Sequence, residues 1–394
     1  MINLSKRGVI FNVQIIGVKV ENLYGIHHYS IKFDESACIK IIHAPNGYGK
    51  TTLLKLIDYV MYYRLDEILQ IPFTKFQIMF NKGISVMVRR SDKECIQELV
   101  YIILSDNNEK SYNCLSQDGT IEKIVEKQLI ENLKALRTQI PIHLIRANRL
   151  IQENGCKEEK VPAVIRYAKE LKFLMKNALA YSAKINEELD RSFPKRLIEE
   201  MTSNTNGESY ERIKSELALL KSKRNALEEI DLLLKADIED VEITEKTPWY
   251  ILKTLQLYIE ESQKKLGVFD ELAPRIALMR EIINKRFTYK KMILSQEEGF
   301  VFEVPYHEML NADKLSSGEQ NELILIFELL FKSKVNALIL IDEPEISLHI
   351  AWQQSFLEDM EKIAALTGVK LIIATHSPDI INGRWDLTTG LEEC

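Results

Sequence analysis

No run of apolar residues in this sequence approaches the roughly 18–20 that a helix needs to cross a bilayer. The longest, such as Ala337 to Ile341, have the length of a buried strand, so no membrane span is expected. Lys6 and Arg7 stand near the N-terminus without a continuous apolar stretch behind them, which argues against a secretory signal. The 5 cysteines (Cys38, Cys95, Cys114, Cys156, Cys394) are scattered and none forms a C-x-x-C pair. This excludes a disulfide scaffold and offers neither zinc nor a dithiol redox centre a ligand pattern; a reducing cytosol is the expected compartment. An excess of positive charge is also missing. Lys and Arg number 52 against 58 Asp and Glu, a net charge of −6. That is not the charge of a chain coated onto nucleic acid, although a total says nothing of a local basic groove.

What is present is an ordinary globular composition, 46% hydrophobic and 28% charged over 394 residues, enough for about two to three structural units. Within an N-terminal part of 1–151, the first 45 residues read as strands. Val13 to Val20 and His28 to Phe33 alternate, and Cys38 to Ile42 is an apolar run ending in a Gly-rich turn. Apolar residues then recur at helical spacing (Leu53, Leu54, Ile57, Val60, Met61), a strand–turn–helix unit. A second β-rich stretch covers about 74–121, followed by a helix near 122–134 and the strand Ile142–Ile145.

From 152 to 292 the chain turns to Lys, Glu, Leu and Ala, and predicts three helical stretches, 162–201, 208–237 and 247–289. Residues 151–300 hold 26 Lys plus Arg and 27 Asp plus Glu; such balance suits solvated amphipathic helices rather than a phosphate grip. Heptads are not strict enough for a long coiled coil. From 293 to 394 short apolar runs alternate with helices again: Phe300–Val304, Ala337–Ile341 and Lys370–Ala374, with helices expected at 319–332 and 348–367. This is the pattern of a parallel sheet covered on both faces, and the two ends are expected to share one sheet.

The turn Ala44-Pro45-Asn46-Gly47-Tyr48-Gly49-Lys50-Thr51 matches the phosphate-binding loop G-x-x-x-x-G-K-[ST] at every fixed position but the first, where Ala44 stands. Gly47 and Gly49 let backbone N–H groups face phosphates, and the following helix adds its positive end. Lys50 is placed to reach the β- and γ-phosphates, Thr51 to ligate Mg²⁺, and Thr52 to meet the α-phosphate. Asp342 and Glu343 follow the strand 337–341. There the first carboxylate suits a Mg²⁺-water ligand and the second can polarise an attacking water; Glu345 reads instead as a cap of the next helix. Leu315-Ser316-Ser317-Gly318-Glu319-Gln320 starts a helix, and taken alone is an ordinary N-cap with an acidic first turn. His376 follows the strand 370–374, where a polar side chain can touch a γ-phosphate.

In order, these motifs resemble an ABC-class ATPase head of the SMC/RecF/OLD branch, in which a helical, coiled-coil-like insertion splits a head made of a parallel sheet and an antiparallel β subdomain. Ile341-Asp342-Glu343-Pro344-Glu345-Ile346-Ser347-Leu348-His349 and Ala374-Thr375-His376-Ser377-Pro378 further resemble ATPases of bacterial anti-phage defence, nearest the ATPase subunit of PARIS systems, with Septu-type and retron-associated ATPases next. The resemblance implies that Asn46, Gly47, Gly49, Lys50, Thr51 and Thr52 bind ATP, that Thr51 and Asp342 hold Mg²⁺, that Glu343 is the general base, and that His376 senses the γ-phosphate. Ser316 and Gly318 would contact ATP of the opposite subunit, so heads would pair or assemble further. Ser347 and His349 would cross that interface.

The sequence departs from the family at Ala44 and at Ser317, which replaces a signature glycine. The lid glutamine could be Gln77 or Gln152, and Ile145 to Leu150 lies where a lid loop is expected. Only 18 residues follow His376, too few for the TOPRIM nuclease of OLD proteins, and no other nuclease cluster is apparent; His307-Glu308 reads as incidental. The expectation is therefore an ATPase that acts as sensor and regulatory scaffold for a separate toxin or nuclease effector. Residues 152–292 would be its docking surface, and a phage-encoded product would be its trigger. The alternative is a RecF- or SMC-like repair ATPase clamping duplex DNA, against which the acidic charge and short neutral arm count.

Overall fold

Alternation shapes the first strand: Val18 and Val20 are buried while Lys19 between them is exposed, the period-two pattern of a sheet with one covered face. A computed structural model describes residues 13–93, 96–105, 108–114, 123–146, 162–202, 209–235 and 243–391. The chain runs through β1 (Ile15–Leu23), β2 (His27–Lys32), β3 (Ile39–His43), α1 (Lys50–Tyr62), α2 (Leu65–Leu69), β4 (Lys75–Phe80), β5 (Ser85–Lys93), β6 (Ile96–Ser105), β7 (Asn108–Asn113), α3 (Lys123–Gln139) and β8 (Ile142–Ile145). Next come α4 (Ala163–Thr202), α5 (Tyr210–Glu229), α6 (Trp249–Gly267), α7 (Leu272–Arg286), β9 (Lys291–Ser295), β10 (Gly299–Val304), β11 (Glu308–Leu310) and α8 (Ser317–Phe327). The chain closes with β12 (Leu338–Asp342), α9 (Ile350–Gln353), α10 (Phe356–Thr367), β13 (Lys370–Thr375), α11 (Pro378–Ile381) and β14 (Thr388–Gly390).

Two compact units result: Met1–Arg149 with Glu328–Cys394, and Leu150–Phe327. The first holds two sheets. A five-stranded sheet has the order β14-β3-β13-β12-β8 and is parallel throughout. A six-stranded sheet, β2-β1-β4-β5-β6-β7, is antiparallel. Apolar side chains of both sheets join one core with α1: Ile42, Leu340 and Ile372 from the parallel sheet, Phe76, Ile78 and Val88 from the other, and Leu53, Leu54 and Ile57 from the helix. An α/β architecture with parallel and antiparallel sheets, split by a helical insertion, is the one the sequence predicts.

Register places the site. Ile41 pairs with Ile373 and Ile373 with Ile341, so β3, β13 and β12 end level. Residues 44–50, 376 and 342–343 therefore leave the sheet on one edge, with β13 in the middle. Ligands of open α/β sheets bind at such carboxyl ends.

In the second unit α4 packs on α6 and on β10, and α5 on α6. Gly299 is required where β10 meets α4. It has φ +81°, and a Cβ there would stand 2.0 Å from the Ala168 carbonyl oxygen. Tyr167 stacks on Phe327, with ring centroids 4.5 Å apart.

The structure departs from the sequence reading in several places. The stretch 247–289 is two helices, broken after Gly267. The helix expected over 208–237 stops at Glu229, because Asp231 turns to φ 58° and its carboxylate caps the Gln296 amide at 2.9 Å. The helix after the Ser-Gly turn loosens into a π-turn over Glu328–Lys332. The segment 348–367 enters its helix through a 3₁₀ turn, Pro344–Ser347, and the short α9. Residues 293–327, read as part of the C-terminal head, fall in the second unit, since β9, β10 and β11 form their own three-stranded sheet and β10 lies on α4.

Candidate nucleotide site

Gly47 (φ 90°) and Gly49 (φ 79°) bend the loop after β3 through the left-handed region, which side-chain-bearing residues avoid. Gly49 is the N-cap of α1, so the loop delivers the chain directly to a helix N-terminus, where N–H groups lack intrahelical partners. Lys50 is buried and its ammonium donates to the carbonyl oxygens of Ala44 (2.7 Å) and Pro45 (3.0 Å); it lies across the loop. Burial pulls its pKa down, opposed by the carboxylates of Glu343, Glu345 and Asp342. Asn46 is exposed on the loop, and the Thr52 hydroxyl lies 3.0 Å from the Tyr24 hydroxyl.

The Thr51 hydroxyl donates to Asp342 Oδ1 at 2.9 Å. Asp342 ends β12 and is buried; burial raises its pKa, the Thr51 bond works against that, and the neighbouring Glu343 charge adds to it. Glu343 adopts φ 42°, ψ 62°, a left-handed conformation that favours glycine and that recurs in non-glycine residues at functional sites. Its N–H donates to the Ala374 carbonyl at 2.9 Å, tying the turn to β13.

Glu345 does not cap a helix. It is buried, and its Oε1 accepts from the Thr375 hydroxyl (2.7 Å) and the His376 amide (3.0 Å). His376 Nδ1 is 3.0 Å from the same oxygen and 4.0 Å from Glu343 Oε1. Glu345 is the site residue that reading the sequence missed; a carboxylate two residues beyond Glu343 was its only signal.

The structure thus gathers Lys50, Thr51, Asp342, Glu343 and His376 on one sheet edge. A family model, the AAA ATPase domain, matches residues 14–381. The chain belongs to this ATPase family. It binds and hydrolyses ATP through an AAA ATPase domain that spans nearly its whole described length. No curated protein matches it. Among solved structures it is similar to the Smc head domain of Pyrococcus furiosus with an extended coiled coil, bound to the C-terminal domain of ScpA. That match has a TM-score of 0.41 and 14% identity, over 96% of this chain and 93% of that one. It is also similar to the SMC head domain of Thermotoga maritima (TM-score 0.38, 11% identity, 96% and 94% covered). A third is an SmcHead bound to the C-winged helix domain of ScpA (TM-score 0.40, 12% identity, 96% and 93%).

In this ATPase Ser316 and Gly318 lie in the second unit. Ser316 precedes α8 and Gly318 sits in its first turn, as the sequence predicts. Gln77 is on β4 and its amide donates to Ser85 Oγ at 3.2 Å; Gln152 and residues 147–150 lie outside the described residues. His349 caps α9 through its ring nitrogen, and Ile346 and Ile350 beside it are exposed. Among the described residues no group of three or more His, Cys, Asp and Glu side chains could hold a metal ion, and no helix is long and apolar enough to cross a membrane.

Proposed function

We propose that the chain is an ABC-type ATPase of the SMC/RecF kind, whose heads pair around Mg-ATP and use that pairing to clamp duplex DNA. The observation that carries the catalytic part is the Thr51–Asp342 hydrogen bond. It joins the phosphate loop to the strand end that bears Glu343. A hydroxyl and a carboxylate oxygen at that spacing are the hard donors Mg²⁺ takes, and the ion would neutralise charge developing on the phosphates.

Each residue then has a task. Backbone N–H groups of Asn46 to Thr52 and the Lys50 ammonium bind the phosphates. Thr51 and Asp342 hold Mg²⁺. Glu343 takes the proton from the attacking water. His376, fixed through Nδ1 by Glu345, offers Nε2 to the γ-phosphate, and Ser316 and Gly318 of a second copy close the site. Duplex DNA is the load implied by the SMC/RecF resemblance. Control of a toxin or nuclease effector in anti-phage defence is the load implied by the resemblance of residues 341–349 and 374–378.

Fluorescence anisotropy of a labelled duplex tests the reading. Glu343→Gln protein with ATP should bind the duplex, with affinity falling steeply as salt rises, and Lys50→Ala should not. ATP-dependent pairing without duplex binding would discard the clamp. A stoichiometric protein partner retained by Glu343→Gln and lost by Lys50→Ala would then establish the effector role.

A further inference from the structure

The signature serine is engaged by its own helix. Ser316 N–H and the Ser316 hydroxyl both donate to Glu319 Oε2, each at 2.8 Å, while the Glu319 amide donates back to Ser316 Oγ at 3.3 Å. This is a capping box with one addition. Lys290 Nζ donates to the same Glu319 Oε2 at 2.6 Å. Lys290 belongs to neither helix; it lies between α7 and β9, where the helical run returns to strand. Three donors converge on one oxygen of a carboxylate that is 15% exposed. Burial pushes the Glu319 carboxyl up, and the bonds from Lys290 and from Ser316 outweigh it, leaving its pKa below the ordinary range.

A carboxylate here is at odds with a site that must receive phosphate. The two groups that Ser316 could offer a γ-phosphate, its hydroxyl and its N–H, already point at Glu319, and an incoming phosphate would meet that negative charge at close range. A neutral capping residue would avoid the conflict. The cation at 2.6 Å resolves it, because the pair presents no net charge to the ligand.

We infer that Lys290 is a positioning residue for the trans ATP contact: by neutralising Glu319 it lets Ser316 exchange its carboxylate partner for a γ-phosphate oxygen of the facing subunit. The inference rests on the reading of Ser316 as that trans contact. It also gives the helical run a chemical handle on the site, since the residue that closes the run sets the charge beside the signature serine.

The test measures ATP-dependent dimerisation by light scattering over an ATP series, in full-length protein carrying Glu343→Gln so that ATP is not consumed. Binding of a fluorescent ATP analogue to the monomer, and far-UV circular dichroism, establish that each variant is folded. Lys290→Met should raise the ATP concentration for half-maximal pairing about tenfold or more, Lys290→Arg should stay near the parent, and adding Glu319→Gln to Lys290→Met should restore pairing. A Lys290→Met protein that pairs at parental ATP, or a double variant no better than Lys290→Met, overturns the inference. Ser316→Arg separates this from the underlying reading. If it abolishes pairing, Ser316 is at the interface and the Lys290 result stands by itself; if it pairs normally, the trans contact is wrong and the role of Lys290 falls with it.

Discussion

Glu345 Oε1 and His376 Nδ1 lie 3.0 Å apart at the end of β13, and the same oxygen takes the Thr375 hydroxyl and the His376 amide. One buried carboxylate thus fixes both the backbone and the ring of His376, whose Nδ1 is 4.0 Å from Glu343 Oε1. The ring is held through Nδ1, which leaves Nε2 as the nitrogen available to a ligand.

Glu345→Gln should therefore lower kcat for ATP hydrolysis by roughly tenfold, the loss of one charge-assisted hydrogen bond, with little change in ATP affinity. Steady-state kinetics decide it. A rise in KM at constant kcat would mean that Glu345 serves binding instead.

Glu343→Gln should bind ATP and hydrolyse it slower by on the order of 10²–10⁴-fold, the usual contribution of a general base. Lys50→Ala should fail to bind. Equilibrium binding of a fluorescent ATP analogue beside a phosphate-release assay separates the two; equal rates for Glu343→Gln and the parent would remove Glu343 from the chemistry.

Asp342→Asn keeps the shape that accepts the Thr51 hydroxyl and removes the charge proposed to hold Mg²⁺. The expected result is a higher Mg²⁺ concentration for half-maximal hydrolysis, read from a Mg²⁺ titration at fixed ATP. Unchanged Mg²⁺ dependence would place the metal elsewhere.

Arg286 and Glu322 form an ion pair with side chains only 2% and 0% exposed. Removing one partner leaves a buried charge, so Arg286→Met and Glu322→Leu should each destabilise the second unit by about 3–5 kcal/mol, while both together should come close to the parent. Urea unfolding of the three variants measures this, and additive losses in the double variant would refute the pairing.

Gly299→Ala should destabilise by at least about 1–3 kcal/mol, since the new Cβ meets the Ala168 carbonyl and the backbone has φ +81°. A thermal melt that matches the parent would show that α4 and β10 can part without loss.

The sequence by itself determined the local devices. Glycines at 47 and 49 between an apolar run and a helical repeat mark a left-handed turn into a helix start, and Asp342 and Glu343 after an apolar run mark a strand end. Both are patterns of neighbours, fixed by period and backbone freedom. Tertiary structure decided what those patterns meet. Thr51 and Asp342 stand 291 positions apart and bond because parallel register ends β3, β13 and β12 level. Glu345 holds His376 rather than a helix end because the left-handed turn at Glu343 carries the chain back over β13. Lys290 reaches Glu319 because α7, which it follows, packs on α8 within the second unit, where residues 293–327 also fall. Periodicity specifies which face of an element is buried; only register and turn handedness specify which distant side chain that face meets.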